Sequence, residues 1–334
     1  MAPVLAIPFA AACSSSDSPS PPPARDDGGG GGSGGDSGGG GGGGGGGWRS
    51  AVGEHGAFAQ TFDEASWAVR QLGPRTFYSV ACIGNYVGWV AGEQGGVWYT
   101  TDAGKTWTEQ DSGTKQTLRA VRFFDTKHGV VAGDAGTLAV TEDGGRRWRT
   151  VADAPQVGLR GVAATHDLFL AVGDGGTLLR STDRGATFSR HTIAGATDLR
   201  AVAGDTNARV FLAADAAGHI FASTDRGASF TLEHATGTPL HAITISGDGN
   251  FAIAAGPSGA AFIRTEGGQW RASNTGTHAD LHAALIDSGD WYARGIYWYV
   301  AGANGTLLAS GDRGATWKSV PLGITSTLYG LEDL

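Results

Sequence analysis

The chain has 334 residues, of which 40% are hydrophobic and 17% are charged, and its formal net charge is −8. This composition excludes a chain that is disordered throughout, because there is enough non-polar surface to bury a core. The acidic balance disfavours a protein that binds nucleic acid through its charge. No non-polar run reaches about 18 residues, so the sequence predicts no membrane-spanning helix.

The N-terminal 47 residues are predicted to lie outside the folded body. Residues 14–47 are rich in Ser, Pro and Gly, and residues 28–47 alone hold 17 of the 58 glycines. A segment of this kind buries almost no non-polar surface, so we predict a disordered tether. Residues 1–13 form a short non-polar segment that ends in three alanines and Cys13.

This ending is similar to the processing site of a bacterial lipoprotein, where the cysteine receives lipid. Lipidation of Cys13 predicts a protein tethered to a membrane outside the cytoplasm, in the periplasm or at the cell surface, with the lipid as its only membrane contact. The segment differs from a secretory signal because it has no Lys or Arg and contains Pro3 and Pro8. A free cysteine in a disordered tail is the alternative.

Residues 48–334 repeat a unit of about 40 residues, and each unit ends in a turn related to S/T-x-D-x-G-x-T/S and an aromatic residue. Successive aromatic residues are 40 to 42 positions apart, except for the last pair, at 47. They are Trp67, Trp107, Trp148, Phe188, Phe230, Trp270 and Trp317. Each unit has four short β-rich runs, such as 118–124, 129–133, 137–141 and 148–151. Four antiparallel strands in about 40 residues are typical of a propeller blade.

The two ends of the repeat region predict a closed ring. Six full units begin at Thr76, Thr117, Gly158, Asp198, Pro239 and Asp280. Residues 51–67 align with 171–188 and supply three strands of one more blade, and residues 327–331 resemble 117–121 and supply its missing strand. We therefore predict an all-β, seven-bladed propeller of four-stranded antiparallel blades. Its C-terminal inner strand joins the N-terminal blade, which leaves no open edge in the ring.

The aspartates of the repeated turns are predicted to be structural. Each carboxylate can accept backbone N–H groups within its turn, and the glycine two residues later permits positive φ. The five aspartates are Asp102, Asp143, Asp183, Asp225 and Asp312. They lie on separate turns, whereas a calcium loop needs its ligands at alternate positions of one loop.

These turns resemble the Asp-box, or BNR, repeats of sialidases. The fuller unit GWVAGEQGGVWYTTDAGKTW at 88–107 resembles the photosystem II stability and assembly factor family. The resemblance covers about 48–334 and departs at Trp270, whose turn lacks the aspartate, and at Ala65, where the turn has lost its glycine. It implies a non-enzymatic scaffold, without a cofactor, that docks a partner protein on an arginine-bearing face. It does not imply a photosynthetic host.

The innermost strands run in the same direction, so equivalent residues are expected to form a ring at one depth of the channel. The ring positions are Tyr78, Arg119, Arg160, Arg200, His241, His282 and Tyr329. The three successive arginines suit the carboxylates of an acidic polypeptide segment. The alternative is internal pairing, because turns of the same three units carry Asp134, Asp174 and Asp215.

A sialidase-like or other glycan-binding or glycan-hydrolysing propeller is the second interpretation of these residues. The arginines, a tyrosine at Tyr78 or Tyr329, and the nearby Glu54 and Glu93 are the residue types of a sialidase site. Duplication of the unit alone would place arginines at equivalent positions, and the body leaves little room for substrate loops. We therefore predict a monomer without enzyme activity. We also predict no metal site, because the ring histidines lack a carboxylate partner.

One insertion and one cysteine complete the candidate features. The last full unit has extra residues between its first two strands, at 288–298, and its aromatic residues are candidates for binding a glycan or a protein. The alternative is that Trp298 and Tyr299 pack within the blade. Cys82 is predicted to pack as a small non-polar residue.

Overall fold

The computed structural model describes residues 49–62, 66–84, 86–266, 268–287 and 297–333. The candidate lipidation site Cys13, the tether 14–47 and the insertion residues 288–296 lie outside the described residues. Within the described ranges the chain forms seven four-stranded antiparallel sheets. The predicted seven-bladed propeller is therefore confirmed.

The strands follow the blades in chain order. Blade 1 begins with β1 (Arg49–Gly53), β2 (Ala57–Thr61) and β3 (Ala68–Gln71). Blade 2 contains β4 (Phe77–Ile83), β5 (Val87–Gly92), β6 (Gly96–Thr100) and β7 (Thr108–Asp111). Blade 3 contains β8 (Leu118–Phe123), β9 (Gly129–Gly133), β10 (Leu138–Thr141) and β11 (Arg149–Thr150). Blade 4 contains β12 (Leu159–Thr165), β13 (Leu168–Gly173), β14 (Thr177–Ser181) and β15 (Ser189–Thr192).

The remaining blades repeat this order. Blade 5 contains β16 (Leu199–Gly204), β17 (Phe211–Asp215), β18 (His219–Ser223) and β19 (Thr231–Ala235). Blade 6 contains β20 (Ala242–Ile245), β21 (Ala252–Ala255), β22 (Ala260–Arg264) and β23 (Trp270–Asn274). Blade 7 contains β24 (Leu281–Ile286), β25 (Trp298–Gly302), β26 (Leu307–Ser310) and β27 (Lys318–Ser319). The last strand is β28 (Leu328–Glu332).

Strand β28 closes the ring, as the sequence predicts. It pairs antiparallel with β1, with Ser50 opposite Glu332 and Val52 opposite Gly330, and it becomes the innermost strand of blade 1. Leu328 and Leu331 of β28 are buried in a cluster with residues of blades 1 and 7. The two ends of the folded body therefore depend on each other for their burial.

A tight turn between the second and third strands places the residues that border the channel. In blade 3 this turn spans Asp134–Gly136, and its middle residue Ala135 has a φ of 53°. The preceding Gly133 packs against the start of β8, where an added Cβ would overlap the carbonyl oxygen of Thr117. Glycine is required there by this close approach. The residue after that glycine is therefore held beside the first residues of the inner strand.

The core consists of non-polar clusters between neighbouring sheets. Trp89 of blade 2 stacks on Phe123 of blade 3 with ring centroids 3.6 Å apart, and Trp107 packs edge-on against Phe58 of blade 1 at 5.4 Å. Trp298 is 0% exposed and Tyr299 is 2% exposed, so both pack within blade 7. The packing alternative therefore holds for these two aromatic residues.

The repeated turns that contain the five aspartates are held by hydrogen bonds from their own residues. In blade 5 the Asp225 carboxylate accepts bonds from the Ser229 N–H at 2.9 Å and the Ser229 hydroxyl at 2.6 Å. The Ser223 hydroxyl accepts the N–H of Gly227 at 2.9 Å and donates to Asp225 at 2.8 Å. Equivalent bonds occur at Asp102, Asp183 and Asp312, and Asp143 accepts the backbone N–H of Arg147.

These turns predict a loss of stability in acid. Hydrogen bonds from Ser229 lower the pKa of Asp225 to about 2, and those from Thr316 lower the pKa of Asp312 to about 2. A carboxyl group with a lowered folded-state pKa stabilises the fold above its ordinary value, and this contribution is lost as the pH falls through the folded value. Calorimetry is therefore expected to show the Tm falling between about pH 4 and about pH 2.

The double variant Asp225→Asn, Asp312→Asn is the control for this prediction. It lacks two of the titrating carboxylates, so its Tm is expected to be lower at neutral pH and to fall less on acidification. An acid-induced fall as steep as that of the wild type would contradict the prediction.

Candidate functional site

All seven predicted ring residues line one cavity of about 550 Å³ at one end of the channel. We call this cavity the mouth. Its lining consists of Tyr78, Arg119, Arg160, Arg200, Ala216, Pro239, Leu240, His241, His282 and Tyr329. The repeat therefore brings together one residue from each blade, and the sequence analysis missed only the other three lining residues, which are non-polar.

Two of the three arginines donate hydrogen bonds to aspartates of the same chain. Arg119 donates two hydrogen bonds to Asp134, from Nε at 3.1 Å and from Nη2 at 2.9 Å. Arg160 donates from Nε to Asp174 at 3.2 Å and from Nη1 to Asp134 at 3.2 Å. Asp134 thus bridges the two guanidinium groups, and the internal pairing predicted for these two arginines is present.

Arg119 is held further by Tyr78, because its guanidinium lies over the Tyr78 ring at 4.4 Å from the centroid. Burial lowers the pKa of Arg119, but the hydrogen bonds and charge of Asp134 outweigh this effect and leave the pKa raised. The side chain is a fixed cation with its planar fork already occupied by a carboxylate.

Arg200 differs from its two neighbours, and the predicted pairing with Asp215 is wrong. In the described part of the chain, the carboxylate within ion-pair distance of Arg200 is that of Asp198, at 3.7 Å. The Arg200 side chain is 35% exposed. Asp198 in turn accepts the backbone N–H of Gly175 at 3.0 Å. Arg200 is therefore the ring arginine with the weakest internal partner.

The strand register explains the error. Leu199 pairs with Asp215, just as Leu159 pairs with Gly173, so Asp215 occupies the glycine position at the end of the second strand. The position that carries Asp174 in blade 4 is therefore Ala216 in blade 5. Ala216 lines the mouth, and no acid faces Arg200 from that turn.

Asp215 itself is a structural residue. It is fully buried and accepts hydrogen bonds from the Thr197 N–H at 3.0 Å and the His219 N–H at 2.8 Å, with His219 Nδ1 at 3.0 Å. Burial raises the pKa of Asp215, but these bonds outweigh burial and leave the pKa lower than usual. The carboxylate is held ionised by the turn rather than by Arg200.

Aromatic rings line the other half of the mouth. His241 stacks on His282 with centroids 4.9 Å apart and 14° between the planes. His282 lies 5.2 Å from the Tyr329 ring, which lies 5.0 Å from the Tyr78 ring. We call Tyr78, Tyr329, His282 and His241 the aromatic wall. It continues around the ring from Arg119, and it ends on the blade next to Arg200.

The pKa values of the titratable groups in this half of the mouth are shifted in different directions. A hydrogen bond from the Thr327 N–H lowers the pKa of Glu54, which also accepts the Tyr329 hydroxyl at 3.2 Å. Burial and the charge of Glu54 raise the pKa of Tyr329. Burial and the neighbouring His241 lower the pKa of His282. At neutral pH Glu54 is therefore ionised, whereas Tyr329 keeps its phenol proton and the His282 imidazole is neutral.

The opposite end of the channel has a second cavity of about 480 Å³. Arg122 donates to the carbonyl oxygen of Val80 at 2.8 Å and lies 3.4 Å from Glu332, so it ties β8 to the closing strand across blade 2. Cys82 borders this cavity and is buried, and burial raises its pKa well above the ordinary value. Among the described residues, no group of three metal-ligating side chains is close enough to hold an ion.

The comparison with protein families decides which family contains this chain. A family model described as photosynthesis system II assembly factor YCF48 matches residues 107–284, which is more than half of the chain. The chain belongs to this family. The matched range contains the ring arginines and both ring histidines, and the resemblance seen in the repeats is confirmed.

Solved structures of the YCF48 family share the fold. A structure described as YCF48 bound to D1 peptide has 18% identity and a TM-score of 0.59, covering 75% of this chain and 83% of that chain. YCF48 from Cyanidioschyzon merolae has 18% identity and a TM-score of 0.57, covering 75% and 86%. These identities establish similarity of fold alone.

A propeller enzyme is also similar in fold. The crystal structure of an ancestral GH74 enzyme has 16% identity and a TM-score of 0.54, covering 69% of this chain but only 37% of that chain. None of the curated proteins compared with the chain matches it. In the ranges that the structure describes, no helix combines the length and hydropathy needed to cross a membrane.

Proposed function

We propose that the chain is a non-enzymatic assembly factor that holds a peptide segment of a partner protein in the mouth, with a carboxylate of the peptide at Arg200. The observation that carries the proposal is the difference between Arg200 and its neighbours. Asp134 and Asp174 occupy the guanidinium groups of Arg119 and Arg160, whereas Ala216 replaces the equivalent acid in blade 5.

A carboxylate is the group that this arrangement favours. Arginine presents a planar fork that matches a carboxylate with two hydrogen bonds. Ala216 and Pro239 line the mouth together with Arg200 and provide non-polar walls, near which a charged hydrogen bond is stronger than in open water. An acidic residue of a peptide can therefore displace the weak contact with Asp198. Membership of the YCF48 family supports a peptide as the ligand, because a related structure is described as YCF48 bound to D1 peptide.

The alternative of glycan hydrolysis is disfavoured by the chemistry of the mouth. A glycosidase needs a carboxyl group that stays protonated as general acid, with a raised pKa. The pKa of Glu54 is instead lowered by the Thr327 N–H, and the pKa of Tyr329 is raised, which opposes its use as a nucleophile. The Tyr329 hydroxyl also donates to Glu54, so both groups are engaged in closing the ring.

Fluorescence anisotropy with a matched pair of peptides tests the proposal. The first probe is a labelled Gly/Ser octapeptide with a central Asp-Phe pair and an amidated C-terminus, and the second has Asn in place of Asp. A hydrogen bond to a charged group contributes about 1.5–3 kcal/mol, so we expect the Asp peptide to bind at least about tenfold more tightly.

The variant Arg200→Ala is expected to bind the two peptides equally and weakly. Arg190→Ala is the matched control, because Arg190 is exposed on the outer strand β15, and it should retain the preference for Asp. Equal binding of both peptides by the wild type would contradict the proposed function.

A further inference from the structure

The mouth has two chemically different halves. Arg119, Arg160 and Arg200 follow one another on blades 3 to 5, and the aromatic wall occupies blades 6, 7, 1 and 2. The rings of the wall are in continuous contact, with centroid distances of 4.9, 5.2 and 5.0 Å. Pro239 is exposed, lies two residues before His241 and lines the same cavity as Arg200. The surface next to the proposed anion site is therefore non-polar and aromatic.

Several polar atoms of the wall already have partners. The Tyr329 hydroxyl donates to Glu54, and His241 Nδ1 lies 3.1 Å from the carbonyl oxygen of Leu281. Lowering of its pKa by burial and by His241 keeps His282 neutral at neutral pH, although Asp280 and Glu54 act in the opposite direction. A neutral His282 gives a second carboxylate no cation to pair with at this position.

Resting on the proposed function, we propose that the aromatic wall and Pro239 form a subsite for a non-polar side chain next to the carboxylate in the bound peptide. Consecutive Cα atoms in a peptide are about 3.8 Å apart. A peptide that has its carboxylate at Arg200 and runs towards blade 6 would place the neighbouring side chain on that blade, where His241 begins the wall. The favoured ligand is an Asp or Glu with an aromatic or large aliphatic neighbour.

The aromatic ring surfaces of the wall favour an aromatic or large aliphatic side chain in the subsite. Offset or edge-on contacts between aromatic groups add binding free energy beyond that of buried area. Proline gives a rigid non-polar surface that loses little conformational freedom when a ligand binds. A sugar would instead require free hydrogen-bonding groups, and the Tyr329 hydroxyl is committed to Glu54.

A double-mutant cycle between protein and peptide tests the subsite at about pH 7.5, above the ordinary histidine pKa. The peptide change replaces Phe by Gly in the Asp-Phe probe, and the protein change is His282→Ala. We expect the loss of Phe to weaken binding about tenfold in the wild type and about twofold in His282→Ala. His282→Phe keeps a ring at this position and is expected to restore most of the preference for Phe.

The outcomes separate this proposal from the proposed function. The preference for Asp over Asn should be unchanged in His282→Ala, because Arg200 is intact. If the replacement of Phe by Gly weakened binding equally in the wild type and in His282→Ala, the subsite would be overturned but the proposed anion site would not. No preference for Asp over Asn in the wild type would overturn the proposed function itself. Tm values of both His282 variants that equal the Tm of the wild type would exclude a general loss of structure.

Discussion

Removal of residues 325–334 is expected to abolish cooperative folding or to lower the Tm by more than about 10 °C. The deletion removes β28, the innermost strand of blade 1, and leaves the hydrogen-bonding edge of β1 unpaired. Leu328 and Leu331 are 0% and 5% exposed, and burial of a leucine side chain contributes about 1.5–3 kcal/mol. The two leucines together contribute about 3–6 kcal/mol, which is comparable to the lower end of the stability of an average domain, about 5–15 kcal/mol.

Polar groups left behind add to this effect. Glu54 loses the N–H of Thr327 and the hydroxyl of Tyr329, and Arg122 loses Glu332. A half-buried charge that has lost its partner is costly, since it must recover solvent or other hydrogen bonds. The deletion also removes Tyr329 from the mouth, so peptide binding should be lost together with the fold.

Calorimetry and near-ultraviolet circular dichroism measure this prediction. In a control of equal length, residues 325–334 are replaced by a Gly/Ser sequence, which separates loss of the strand from shortening of the chain. A synthetic peptide of residues 325–334, added in excess, is expected to restore a cooperative transition by occupying the place of β28. A shortened monomer that melts within about 3 °C of the full chain would contradict the closure of the ring.

The fold could be predicted from the sequence because the repeat constrains it strongly. Most turns place glycine where strands approach closely, as at Gly133, and an aspartate where backbone N–H groups converge, as at Asp225. These requirements recur in most blades, so the period and the number of blades can be counted even though blade 5 has Asp215 at the glycine position and the blade 6 turn has no aspartate. Strand ends are less certain, and the predicted run 148–151 is only Arg149–Thr150 in β11. The outer strand packs on one side alone and has the weakest pattern.

The site could be predicted only in part, because the ring residues and the partners of Arg119 and Arg160 follow the repeat but the partner of Arg200 does not. The sequence places seven equivalent residues at one depth, and the structure brings all seven into one cavity. The predicted pairing of Arg200 with Asp215 is wrong because Asp215 ends the segment FLAAD at 211–215 and therefore aligns with the last glycine of FLAVG at 169–173, one position before Asp174. When Asp215 is aligned with Gly173, Ala216 takes the position of Asp174, and the sequence then predicts no acid for Arg200 from this turn.

Some polar side-chain contacts between blades could not be predicted from the sequence. Glu233 accepts Trp270 Nε1 at 3.1 Å and pairs with Arg264 at 2.9 Å, and this cluster lies where the blade 6 turn lacks its aspartate. The tie from Arg122 to Glu332 likewise joins residues far apart in the chain. Neither pair follows the repeat period, so only the folded ring reveals them.

The three ring arginines differ in their acidic partners, and this difference makes one side of the mouth unlike the rest. Asp134 and Asp174 neutralise two arginines, and Ala216 leaves the third with a contact of 3.7 Å to Asp198. We therefore propose that one missing acid, rather than the number of arginines, sets the position of the anion site. Arg119 and Arg160 would serve mainly to hold the shape of the cationic half.

Reversal of the charge at Arg200 tests this central claim most directly. The variant Arg200→Glu places a carboxylate beside Asp198, so it should repel the Asp-Phe peptide and attract a peptide with Lys in place of Asp. Arg190→Glu on β15 changes the net charge equally, away from the mouth, and is the control.

The decisive measurement is the ratio of the Kd values of the Lys-Phe and Asp-Phe peptides for the wild type, Arg200→Glu and Arg190→Glu. We predict a preference for Asp of at least about tenfold in the wild type and in Arg190→Glu, and a preference for Lys in Arg200→Glu. The same ratio in all three proteins would contradict an anion site at Arg200.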